Sequence, residues 1–111
     1  MSEIQRKPWS FTIEFDEDKA ARHGYSLDAL YDHVGKIAES FGNVRTGRGS
    51  WQAKDVQSNH SAQPVALCCL CEQKWVMENV KSWTTYEDER PNGEDYLQLI
   101  RRHRPYLICA E

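Results

Sequence analysis

The chain has 111 residues, and its 14 Lys plus Arg against 17 Asp plus Glu leave a formal charge of −3. That length holds one hydrophobic core, and that charge disfavours duplex binding through the net field. Four Trp, five Tyr and three Phe exclude the aromatic-poor composition of a disordered chain. No stretch approaches the roughly 20 apolar residues that span a bilayer, and the N-terminus, MSEIQRKPW, lacks the apolar core of a secretory signal, so a cytoplasmic location with no membrane partner is expected.

Trp9, Phe11, Ile13 and Phe15 alternate with Ser10, Thr12 and Glu14, the period of a strand with one buried face. After acidic residues 16–18, Ser26 is placed as an N-cap, with Tyr25 and Leu30 spaced for a hydrophobic staple. Leu27, Leu30, Val34, Ile37, Ala38 and Phe41 fall on one arc of about 100° at helical pitch. They predict a helix that stops at Gly42. Residues 44–53, VRTGRGSWQA, read as one irregular strand whose glycines mark a bulge, a bend or a close backbone approach.

Residues 54–63 are polar without an apolar period and predict a solvent loop, whereas the run VALCCLC at 65–71 predicts a central strand. Residues 72–88 are ambiguous. Val76, Val80 and Trp83 fit a helical face, while Ser82, Thr84 and Tyr86 alternate as in a strand, and a fourth strand over 81–86 is favoured. Residues 87–93, with Pro91 and Gly93, predict a loop. Tyr96, Leu97, Ile100 and His103 then predict a short helix ended by Pro105, and YLICA at 106–110 a last strand or a docked extended tail.

This order predicts an α+β two-layer sandwich, a mostly antiparallel sheet with helices on one face. It makes one domain over residues 1–111, with 1–8 a flexible N-terminus. A split β-α-β topology fits if residues 72–88 supply a helix.

Cys68, Cys69 and Cys71 crowd one short run and lack the dispersed spacing of a secreted disulfide framework and the paired knuckles of a zinc site. They are expected to be reduced, buried and inert, because an apolar strand offers a thiol neither exposure nor a positive neighbour. No metal and no cofactor is implied, as neither a Walker loop nor a dinucleotide fingerprint occurs. Arg45, Arg48 and Ser50, set among Gly47 and Gly49 with Trp51 beside them, are the candidate anion or partner-binding segment: guanidinium forks and glycine-exposed N–H groups suit phosphate or carboxylate. Arg101, Arg102 and Arg104 form a basic cluster at the end of the last predicted helix, where positive charge also complements the helix dipole.

No catalytic residue is assigned. The four His have no diagnostic spacing, and no nucleophile, base and orienter form a motif. The reading is therefore a small non-enzymatic protein-interaction module, an inhibitor, immunity or accessory factor acting by surface complementarity. Trp51, Trp75, Trp83 and Tyr86 are its candidate aromatic anchors. The acidic residues 14–18 and 87–89 are solubilising or engage a basic protein partner. The alternative is nucleic-acid binding, which requires Arg45, Arg48 and Trp51 to share a face with the Arg101, Arg102 and Arg104 cluster. An exposed sheet edge also allows a symmetric homodimer.

Overall fold

A computed structural model describes residues 7–88 and 90–108. Its elements are β1 (Ser10–Phe15), α1 (Glu17–Arg22), α2 (Leu27–Ser40), β2 (Asn43–Gly47), β3 (Ser50–Ala53), α3 (Asn59–Cys71), α4 (Lys74–Met77), β4 (Val80–Glu87), β5 (Arg90–Asp95) and α5 (Tyr96–His103). Single 3-10 turns at Val56–Ser58 and Pro105–Leu107 precede α3 and follow α5.

The five strands form one sheet in the order β2-β3-β1-β4-β5, and every neighbouring pair is antiparallel. Phe11, Ile13 and Phe15 of β1 turn to one side with Trp51 of β3 and Trp83 of β4. There they meet Leu30 and Val34 of α2, Leu67 and Leu70 of α3, and Ile100 of α5 in a single core. The fold is the predicted antiparallel sheet with helices packed against it. Its first four strands follow the split β-α-β, ferredoxin-like order, and β5 and α5 extend it. The second crossover helix is α3, however, and not residues 72–88, which contribute only the single turn α4 before β4.

The readings of β1, α2 and α5 hold because each shows its own period, and of the two periods in residues 72–88 the strand favoured over 81–86 is realised as β4. Ser26 caps α2 by accepting from the Ala29 N–H at 3.1 Å, and Gly42 ends it at φ +99°, where an L side chain is strained. Residues 44–53 are two strands rather than one. Four of the five β2 residues are exposed, so β2 carries no apolar alternation, and the glycines mark a hairpin turn.

The run at 65–71 is helical, not a strand. Ala62, Ala66, Leu67, Leu70 and Cys71 are buried at three- and four-residue spacing together with Asn59 and Gln63. Those two polar members made the first turns read as loop, and a short apolar run alone does not separate strand from buried helix. Their burial is satisfied. Gln63 Nε2 donates to Asn43 Oδ1 at 2.6 Å, and Asn59 accepts from the Trp9 N–H at 2.7 Å and donates to the Lys7 carbonyl at 3.3 Å.

The loop predicted over residues 87–93 is largely strand, since Glu87 ends β4 and residues 90–93 belong to β5. As an edge strand β5 tolerates Pro91, which would break a central ladder. The tail from Tyr106 is neither strand nor extended at its start, since Pro105–Leu107 is a 3-10 turn. The expectation for residues 109–111, and that of flexibility for residues 1–6, lie outside the described residues.

Candidate functional site

The Arg45 to Trp51 segment is the β2–β3 hairpin, and α2 occupies its cations. Arg45 Nη1 pairs with Asp32 at 3.1 Å, its Nη2 donates to the Arg48 carbonyl at 2.6 Å, and its guanidinium lies 5.1 Å from the Trp51 ring centre. Arg48 pairs with Asp28 at 2.7 Å and lies 5.0 Å from the Tyr31 ring centre. Both arginines thus fasten the hairpin to α2. Ser50 faces the other way, its hydroxyl 2.9 Å from that of Thr12.

The aromatic anchors divide by burial. Trp51 is 0% and Trp83 1% exposed, so neither is a surface anchor. Trp51 stacks on Phe11 at 5.7 Å and donates to Glu39 Oε2 at 3.2 Å, while Trp83 meets Tyr96 edge-on at 4.8 Å. Indole rings of this size are the most rewarding groups to bury in a small core. Trp75 is half-buried beside His33. Tyr86 is half-buried opposite Ser10, on the sheet face away from the core.

Arg101 and Arg102 are exposed at the end of α5. Arg104 is engaged: its Nη2 meets Glu72 Oε2 at 2.8 Å and its Nη1 lies 3.6 Å from the sulfurs of Cys68 and Cys71. The hydrogen bonds to Glu72 and Tyr106 raise its pKa. The two basic segments are separated across the sheet. The hairpin includes the β2 edge, whereas α5 packs on β4, with β3 and β1 between.

What the fold brings together instead is acidic. Where β1 ends and β4 begins, a cleft of about 340 Å³ is lined by Glu14, Asp16, Glu17, Asp18, Arg48 and Lys81, with Tyr31 and Leu27 behind. A second cleft of about 310 Å³ shares Lys81 and adds Ser82, Thr84, Asn92, Glu94 and Asp95. Six carboxylates and two cations thus line the two clefts; Arg48 is paired with Asp28 and Glu14 accepts from the Ser82 hydroxyl. Asp16 is set by the start of α1: it accepts from the Lys19 N–H at 3.0 Å, which holds its carboxyl below the ordinary 3.8 against partial desolvation. Residues 14–18 are an acidic run visible in the sequence, whereas Lys81, Glu94 and Asp95 join them as lining of the two clefts only through the folding of β4 and β5. Asp95 was legible in principle as an N-cap, since it accepts from the Leu97 and Gln98 N–H groups.

The cysteine reading is also corrected. In a helix Cys68 is exposed and Cys69 intermediate, and only Cys71 is buried. Burial pushes the Cys71 thiol up, with Arg104 opposing; burial likewise pushes the Tyr96 hydroxyl up. Among the described residues no group of three or more His, Cys, Asp or Glu is arranged to hold a metal ion, and no helix is long and apolar enough to cross a membrane. A scan against models of protein families and a search of curated proteins find no match to this chain.

Proposed function

We propose that the chain is a non-enzymatic protein-interaction module, an inhibitor, immunity or accessory factor, that receives a basic segment of its partner in the two adjoining acidic clefts. The observation that supports this reading is the lining of two clefts that meet at Lys81, one by Glu14, Asp16, Glu17 and Asp18 and the other by Glu94 and Asp95. Concave surfaces of one sign focus the field and steer oppositely charged partners. Ser82 and Thr84 of the second cleft lie on the sheet face away from the core, which Thr12, Ser50 and Tyr86 share. Nucleic-acid binding has less support, because Arg45 and Arg48 are held by α2 and lie apart from the α5 cluster.

Fluorescence anisotropy tests this with a labelled Lys/Arg-rich peptide, its Asp/Glu counterpart and a single-stranded oligonucleotide. The basic peptide alone is expected to bind, more weakly as salt rises. The charge reversal Glu17→Lys with Asp18→Lys is expected to weaken it at least about tenfold. Binding of the oligonucleotide instead, lost on Arg101→Ala with Arg102→Ala, overturns the reading, as does saturable binding of neither probe.

A further inference from the structure

The last turn of α3 and the segment following α5 bring two thiols to one guanidinium. Cys68 and Cys71 stand three apart on the helix and so share a face. Arg104 Nη1 lies 3.6 Å from each sulfur. Its other nitrogens are tied down: Nη2 donates to Glu72 Oε2 at 2.8 Å and Nε to the Tyr106 hydroxyl at 3.2 Å. The guanidinium is thereby held facing both sulfurs. Cys68 is exposed to solvent, while Cys71 is 1% exposed and donates its S–H to the Cys68 carbonyl at 3.2 Å.

Reactive thiols sit in partly exposed, electropositive surroundings, often beside a second cysteine that resolves the oxidised form. Cys68 has all three features. Residues three apart on a helix have Cβ atoms about 5–6 Å apart, against about 3.5–4.5 Å in a disulfide. Closing that gap needs a shift of only about 1–2 Å. It falls at Cys71, the last helical residue of α3, where the Cys69 and Leu70 carbonyls are held by the N–H groups of Glu72 and Gln73, which follow the helix.

We propose that Cys68 and Cys71 form a peroxide-reactive dithiol, with Cys68 the attacking sulfur, Cys71 the resolving one and Arg104 the cation that faces both. In the first step the Cys68 sulfur attacks one oxygen of hydrogen peroxide and the O–O bond breaks. The second oxygen leaves as hydroxide, takes up the thiol proton and becomes water. The sulfur loses two electrons to the peroxide and becomes a sulfenic acid. In the second step Cys71 attacks the Cys68 sulfur, the S–S bond forms, the S–O bond breaks, and the hydroxyl departs with the Cys71 proton as water. Two thiols and one peroxide thus give one disulfide and two waters. The guanidinium, 3.6 Å from both sulfurs, sets a positive charge beside the reacting sulfur, where it would stabilise the negative charge that develops on the leaving oxygen. Burial, which keeps Cys71 protonated, suits it to react second.

The test treats the full chain, with all four cysteines, with one equivalent of hydrogen peroxide, blocks remaining thiols and maps the products by fragment mass. The expected product lacks two hydrogens, with the bond between Cys68 and Cys71. Cys71→Ser is expected to stop at a Cys68 sulfenic acid that dimedone traps. Cys68→Ser, at an exposed position, is expected to abolish the fast reaction, and Arg104→Gln to slow it about tenfold. The last two variants decide the matter if Cys71→Ser does not fold. A bond to Cys69 or Cys109, a rate equal to that of the urea-unfolded chain, or a rate unchanged by Arg104→Gln overturns the proposal.

Discussion

Asn43 holds three elements at one point. From the start of β2 its Nδ2 donates to the Ala38 carbonyl of α2 at 2.8 Å and to the Ala62 carbonyl of α3 at 2.9 Å, and its Oδ1 accepts from Gln63. All of this is buried, so truncation strands several polar groups at once. Asn43→Ala is expected to cost about 3 kcal/mol, seen as a lower urea midpoint with an unchanged slope. Gly49 is constrained by space instead. Its carbonyl accepts from the Ile13 N–H at 2.8 Å, and an added Cβ would meet the Ile13 carbonyl oxygen and stand 2.9 Å from Tyr31 Cε1. Gly49→Ala is expected to cost about 1–3 kcal/mol by the same measurement, because backbone must move to admit the methyl. The sequence reading allowed a close backbone approach in this segment without being able to say what approached it.

Among the elements, α1 depends most plainly on one cap. It is six residues long, buries only Ala20 and is capped by Asp16, so propensity alone would not maintain it. Because the carboxyl of Asp16 lies below its ordinary value in the folded chain, its contribution is present above the unfolded carboxylate range and is lost as pH falls through the depressed folded value. Asp16→Asn keeps the acceptor for the Lys19 N–H but does not titrate. The variant is expected to match the parent closely at neutral pH and to show a shallower fall in urea midpoint below about pH 4; an identical acid limb would count against Asp16. The contrast with α3 is instructive. In α2 the apolar stripe and both termini were legible from Ser26 to Gly42, whereas in α3 the buried face begins with Asn59 and Gln63, whose partners lie on other elements. Without those partners a buried amide is indistinguishable from a loop residue.

At the level of the molecule, binding and stability separate. Glu17 and Asp18 are exposed, so Glu17→Lys with Asp18→Lys is expected to change stability by less than about 1 kcal/mol while removing affinity for a basic probe. A matched pair of urea and anisotropy titrations checks both. The sequence by itself determined the α+β class, the strand β1, the helix α2 with both its ends and the last helix, because each rests on a local period or cap; residues 72–88 carried two periods, and the structure chose the strand β4. It also marked Glu14 to Asp18 as acidic and the Arg45, Arg48 and Arg104 guanidiniums as available charge. Only the tertiary structure decided what those charges do: α2 supplies Asp28 and Asp32 to the hairpin, α3 supplies Glu72 and two sulfurs to Arg104, and the β4–β5 hairpin sets Glu94 and Asp95 in a cleft that shares Lys81 with the cleft at the β1 end. It likewise decided that Trp51 and Trp83 belong to the core and that Cys68 does not. The reason is physical. A residue's period along the chain reports which face it lies on, but its partner across the fold is set by packing between elements far apart in sequence.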